Sequence, residues 1–148
     1  MSPWVGAAIP RKEDARLLAG RGAFLDDLAR PGLLHAAMLR SPHAHALIVR
    51  LDASAAAALP GVVAVLTGAE AAARSRPIRP LIPTRVPIPD YCLAVDRVRF
   101  AGEPVAAVAA VDRATAEDAL ELITVEYAPL PAVVDPKAAR EPGAPLLY

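Results

Sequence analysis

The period of apolar and polar positions changes several times along this chain, and each change marks an element. Seven consecutive apolar residues, VAAVAAV at 105–111, lie between a Gly-Glu-Pro corner at 102–104 and the polar pair Asp112 and Arg113. Such a run is too short to span a bilayer and, ringed by turn signals, predicts a strand buried on both faces. Behind it, Thr115 with Asp118 three residues on predicts a capping box, and Ala116, Ala119, Leu120 and Ile123 recur at helical spacing. At 124–127 the period falls to two, with Val125 and Tyr127 on one face and Thr124 and Glu126 on the other, until Pro129 removes a backbone donor. The unit is strand, helix, strand. A crossover of this length can join parallel neighbours, and within one sheet it should be right-handed.

Upstream, residues 33–40 and 45–52 read as two strands, with Pro31 and Gly32 before them and the four residues 41–44 between them, which predicts a hairpin. An Ala-rich stretch at 52–59 predicts a short helix with Ser54 as its cap, stopped by Pro60 and Gly61. The apolar run at 62–66 predicts another strand, and Thr67 with Glu70 a second capping box for a helix that fades near Arg74. Residues 1–10 hold Trp4 and Ile9 without a sustained period and read as an extended arm; residues 12–18 suit one or two helical turns ended by Gly20. Between 74 and 90, Pro77, Pro80, Pro83, Pro87 and Pro89 forbid a regular element and favour an extended excursion, locally positive through Arg76, Arg79 and Arg85. Residues 91–100 lead back into the sheet.

Length narrows this picture to one domain with tails, since 148 residues bury a core of ordinary size. Only six residues are aromatic, so the core must be Ala, Val and Leu packed closely, and association with a partner would add stability. Lys and Arg together number 16 and so do Asp and Glu, which argues against a nucleic-acid partner or an anionic membrane surface. The one cysteine, Cys92, cannot close an internal disulfide, and Met1 does not open a secretory signal, so a reducing cytoplasm is the expected compartment.

Several constellations invite a chemical reading. Gly20-Arg21-Gly22 lacks the third glycine and the preceding strand of a phosphate loop. Asp26 and Asp27 are adjacent carboxylates with no further ligand at metal spacing, and read as a solvated strand end. His43 and His45 are spaced as in some metal sites, with His35 on the facing strand, but no cysteine or acidic cluster accompanies them, and a polar hairpin tip is the simpler assignment. Ser41, His43 and Asp52 cannot be a hydrolytic triad without a nucleophile elbow. Arg40, Ser41 and His43 still make the most chemically varied loop in the chain.

Four blocks in order, RKEDARLLAGRGAFLDD, LLHAAMLRSPHAHALIVRLD, LPGVVAVLTG and RFAGEPVAAVAAVDRATAEDALELITVEY, together resemble the α/β hammerhead domain that opens the large subunit of the molybdenum hydroxylases, the family of xanthine dehydrogenase, aldehyde oxidase and carbon monoxide dehydrogenase. The resemblance covers residues 11–136 and implies an α+β (mixed α/β) fold: a single hammerhead-type domain with a mixed sheet, strand-helix-strand units and short helices. On this basis 1–10 is an N-terminal arm, 74–90 a proline-rich excursion and 137–148 a C-terminal tail.

The resemblance implies a non-catalytic structural portion of a molybdenum-dependent hydroxylase or dehydrogenase. Such enzymes oxidise aldehydes, purines, heteroaromatics or carbon monoxide at a molybdenum-pterin centre, with iron–sulfur clusters and FAD on partner domains or chains. Cluster ligation needs several cysteines at fixed spacings, and the family's pterin contacts and catalytic glutamate lie in later domains, so no catalytic, cofactor-binding or metal residue is assigned here. The partner implied is a molybdopterin-binding chain or domain. The Arg-Ser-Pro-His loop recurs in the family, and Arg40, Ser41 and His43 in it are interface candidates; Glu103 joins them as the acidic residue of the Gly-Glu-Pro motif, bracing a corner. The alternatives are a freestanding interaction or scaffold domain, or a truncated remnant, with no enzymatic role.

Overall fold

The computed structural model describes residues 4–79, 81 and 88–148. The chain divides into two compact units, Met1–Leu33 and Leu34–Tyr148. In the first, a turn at Trp4–Gly6 replaces part of the expected extended arm. Helix α1 (Asp14–Leu18) follows, and Gly20 beyond it has a φ of +68° that suits glycine. Asp26 and Asp27 are not at a strand end as expected. They lie in a 3₁₀ turn, Leu25–Asp27, where the Asp27 carboxylate accepts from the Phe24 amide at 2.9 Å.

The second unit contains six strands and three α-helices among its described residues, β1 (His35–Arg40), β2 (Ala46–Asp52), α2 (Ser54–Ala58), β3 (Val62–Thr67), α3 (Gly68–Arg74), β4 (Arg97–Val98), β5 (Pro104–Ala110), α4 (Arg113–Glu121) and β6 (Thr124–Pro129), with a 3₁₀ turn at Ala138–Arg140. They build two three-stranded sheets, ordered β1-β5-β3 and β4-β2-β6, and the pairings in both are antiparallel. The fold is α+β with short helices and strand-helix-strand units, as the family resemblance implies.

Two connections differ from expectation. Strands β1 and β2 do not form a hairpin, because β1 pairs with β5 whereas β2 pairs with β4 and β6. Likewise β5, α4 and β6 do not join parallel neighbours; α4 carries the chain from the first sheet to the second. Caps differ in detail. The α4 cap is Asp112, which accepts from the Thr115 amide at 2.8 Å and the Thr115 hydroxyl at 2.9 Å, so Thr115 is the recipient and not the cap. Ser54 is the first residue of α2, held by the Asp52 carboxylate, while Thr67 and Glu70 do form the predicted capping box of α3. Of the proline-rich excursion, Ile78 bridges to Asp90, and Pro80, Pro83, Arg85 and Pro87 lie outside the described residues.

The apolar run of β5 explains how the sheets share a core. Ala106 and Val108 point into a cluster with Ala56 of α2 and with Ala119 of α4 and Ile123 beyond it, whereas Val105 points into a second cluster with Ala46, Ala94 and Val98. Leu39 and Val125 touch both clusters and join them. Among the described residues the largest fully buried side chains are the valines 98, 105 and 108, and alanine is the commonest core residue. Full burial of a valine is worth about 1.5–3 kcal/mol and of an alanine much less, so this core depends on close backbone approach more than on large side chains.

Candidate functional site

The β1–β2 connection and the corner before β5 meet, although more than fifty residues separate them. The Ser41 amide donates to the Glu103 carbonyl at 2.9 Å, and the Gly102 amide donates to the Ser41 carbonyl at 2.8 Å. Arg40 Nη1 donates to the Gly102 carbonyl at 2.8 Å. These bonds continue the β1–β5 pairing past a register shift at Leu39 and Arg40. They also explain why 41–45 leaves the first sheet: Ser41 is held by the corner, while the His45 carbonyl accepts from the Leu130 amide at 2.9 Å beside the end of β6.

Within the loop, the Ser41 hydroxyl accepts from the His43 amide at 3.0 Å. The His43 ring meets Tyr127 edge-on, with centroids 4.9 Å apart and planes at 60°. Burial raises the Tyr127 phenol above its ordinary range, and a hydrogen bond with the Ser41 side chain acts in the opposite sense. His35 lies on β1, a different element from His43 and His45, and among the described residues no group of three His, Cys, Asp or Glu side chains converges to hold a metal.

In the corner, Gly102 has a φ of +89°, so the turn needs a residue without a Cβ. The Glu103 carboxylate accepts from the Arg99 amide and lies 3.9 Å from Arg99 Nη1, with both side chains largely buried. Arg99 in turn stacks over the Tyr148 ring, 5.0 Å from its centroid, and the Tyr148 hydroxyl donates to Asp90 at 2.6 Å. Burial, with the hydrogen bond and negative charge of Asp90, pushes the Tyr148 phenol up to about 12.

The four residues singled out by sequence, Arg40, Ser41, His43 and Glu103, are therefore brought to one place by backbone pairing. Ser41 is buried, His43 and Glu103 are partly buried and Arg40 is exposed. Three neighbours were missed: Arg99, Tyr127 and His45. His45 is buried and its Nδ1 lies 2.8 Å from the Pro131 carbonyl. Alternation along 45–52 puts His45 on one face with Leu47, Val49 and Leu51, which was the available signal for its burial.

Residues 19–131 match the family model described as aldehyde oxidase and xanthine dehydrogenase, a/b hammerhead domain. The chain belongs to this family. This hammerhead chain is 45% identical over 147 residues to the carbon monoxide dehydrogenase large chain of Afipia carboxidovorans, an alignment that covers 97% of this chain and 17% of that protein. Among solved structures it is similar to quinoline 2-oxidoreductase from Pseudomonas putida 86, with 48% identity, a TM-score of 0.83 and coverage of 92% and 18% of the two chains. It is also similar to the Cu,Mo-CO dehydrogenase in its carbon monoxide reduced state, with 44% identity, a TM-score of 0.82 and coverage of 96% and 18%. The chain thus spans about 17% of the length of the curated relatives it matches.

The single cysteine, Cys92, is exposed and cannot by itself supply the several thiolates that an iron–sulfur cluster requires, so the residues present do not fit such a group. Among the described residues no helix is long and apolar enough to cross a membrane.

Proposed function

We propose that this hammerhead chain is a non-catalytic supporting portion of the large subunit of a molybdenum-containing hydroxylase or dehydrogenase. A molybdopterin-binding chain or domain completes it, and the loop at 40–45 with the corner at 99–104 faces that partner. Residues 11–136 are the supporting lobe in this reading, 74–90 the excursion, and 1–10 and 137–148 the arms. The assembly performs oxidative hydroxylation of an aldehyde, purine or heteroaromatic, or oxidation of carbon monoxide. Its iron–sulfur clusters and flavin reside on further partners, and it works in the cytoplasm.

The observation that carries this reading is the convergence of Arg40 and Ser41 on Gly102 and Glu103, 62 residues apart for the Arg40 contact, into a scaffold whose hydrogen bonds are internal. A surface built in this way is held in shape before any partner arrives, which lowers the ordering cost of association. Purifying the tagged chain from its host, with mass spectrometry and a molybdenum assay, tests the proposal. The expected outcome is co-purification of a molybdopterin-binding polypeptide with stoichiometric metal. Molybdopterin binding or aldehyde or purine turnover by the isolated chain would refute the non-catalytic assignment.

A further inference from the structure

Residues directly opposite each other in an antiparallel pair share a face of the sheet, so the register of the first sheet sorts its side chains. Leu39 lies opposite Ala106, and Val65 opposite Val108. That set turns to the core, since Leu39 and Val65 pack against the cluster that holds Ala106 and Val108. The other face carries Ala36 and Met38 on β1, Ala107 and Ala109 on β5, and Ala64 and Leu66 on β3. It is apolar throughout, yet Ala36, Met38 and Ala64 are exposed and the other three only partly buried. Met38 is 46% exposed, and Val63, at the register shift of β3, is 58% exposed.

The second sheet shows what a water-facing side looks like in this chain. There Arg50 lies opposite Glu126 and Asp52 opposite Thr124, and Arg50, Glu126 and Thr124 are exposed. An antiparallel sheet with one side in water alternates apolar and polar positions, and β2 and β6 do so here. In β1, β5 and β3 both faces are apolar at these positions, although only one of them joins a core cluster among the described residues. A contiguous apolar patch left exposed in this way marks a surface that another body covers. Position and length point to the occupant. Arg40, exposed and in the loop assigned above to the partner, follows Ala36 and Met38 on the same side of β1, so the loop and the sheet face are continuous. The match to the carbon monoxide dehydrogenase large chain takes in 97% of this chain and 17% of that protein, so most of the relative's length lies outside the part that corresponds to this lobe.

We infer that the outer face of β1, β5 and β3 seats the molybdopterin-binding portion of the large subunit, which lays an uncharged apolar surface across Met38, Ala107 and Ala109. The inference rests on the function proposed above and adds a sheet face to the loop at 40–45 as part of one interface.

Met1 and Met38 are the two methionines of the chain, so ¹³C-methyl methionine labelling places a single reporter on this face. The full labelled chain is titrated with the molybdopterin-binding polypeptide that co-purifies from the host, in the presence of a soluble paramagnetic relaxation agent. The Met38 methyl should be relaxed by the agent in the free chain and protected from it in the complex. Met38→Glu on one edge strand and Ala64→Glu on the other should each raise the Kd about tenfold or more and leave the thermal midpoint of the free chain within a few degrees, because both positions are exposed. Wild-type affinity in both variants, or a Met38 methyl that stays open to the agent in the complex, would overturn the assigned face while leaving the proposed function standing. Protection of Met38 on concentrating the chain alone would overturn the assigned occupant in favour of a second copy. Failure of the wild-type chain to bind a molybdopterin-binding polypeptide at all would overturn both the assigned face and the function on which it rests.

Discussion

The backbone carbonyl of Ala94 fills the space that a Cβ on Gly68 would take, so α3 meets the segment before β4 backbone to backbone. Ala94 belongs to a cluster with Ala46, Val98 and Val105, so its carbonyl cannot shift without disturbing that cluster.

Gly68→Ala should therefore lower stability by about 1–3 kcal/mol through overpacking. Gly102→Ala offers a contrast, because nothing lies within 4 Å of its Cβ position and its φ is +89°. Its loss should come from backbone strain alone, roughly 1–2 kcal/mol. Urea denaturation of both variants, with the slope compared to wild type, checks the two values.

Arg99 and Glu103 form a pair whose side chains are 14% and 12% exposed. Removing one partner of a fully buried pair costs about 3–5 kcal/mol, and the residual exposure here reduces this to about 2–3 kcal/mol for Glu103→Ala. Glu103→Gln keeps an oxygen for the Arg99 amide and should recover part of that loss. Thermal melts of the two variants decide whether the charge or the hydrogen bond contributes more.

Asp112, Glu70 and Asp52 each have a lowered carboxyl pKa, caused first by hydrogen bonds from Thr115, Thr67 and Ser54 respectively. A folded-state pKa below the unfolded value gives stability that is present above the unfolded value and is lost as pH falls through the folded one. Stability should then decline as pH drops below about 4. Asp112→Ala should lower stability at neutral pH and flatten that acid limb, as read by denaturation midpoints across the pH series.

Tyr148 has the opposite sign. Its folded pKa of about 12 lies above the ordinary tyrosine value of about 10, so its contribution is complete below pH 10 and is lost as pH rises through 12. Ultraviolet titration should find one tyrosine ionising last, and Tyr148→Phe should abolish that late step. The 137–148 segment of the wild type should become protease-sensitive over the same window.

On the function proposed above, Arg40→Ala combined with His43→Ala should leave the melting temperature within a few degrees and weaken capture of the proposed molybdopterin-binding partner about tenfold or more. Arg40 is exposed and His43 half-buried, so a loss of binding without a loss of fold is the expected signature. Surface plasmon resonance with the purified partner measures it.

Much of the local structure was legible in residue order. Of the apolar run at 105–111, residues 105–110 are strand and Val111 lies exposed beyond its end, and Val105 and Val108 serve different clusters. Thr67 and Glu70 announce the start of α3 because a hydroxyl and a carboxylate three residues apart satisfy free amides reciprocally. The same rule misplaced the cap of α4, since Asp112 and Thr115 are also three apart and the aspartate is the stronger acceptor. The Arg-Ser-Pro-His loop and the Gly-Glu-Pro corner were each visible as motifs, but nothing in either says that it touches the other.

By itself, then, the sequence determined the elements, most of their ends and the family, because period, capping and turn chemistry act over a few residues. Only the tertiary structure decided which strands are neighbours. A turn of four residues suits a hairpin, yet the Ser41 backbone bonds to Gly102 and Glu103 while His45 bonds to Leu130, and those distant amides and carbonyls send β1 and β2 into separate sheets. The same division buries His45 and leaves its second nitrogen without a partner among the described residues, a property that belongs to the packing of distant segments and to none of them alone.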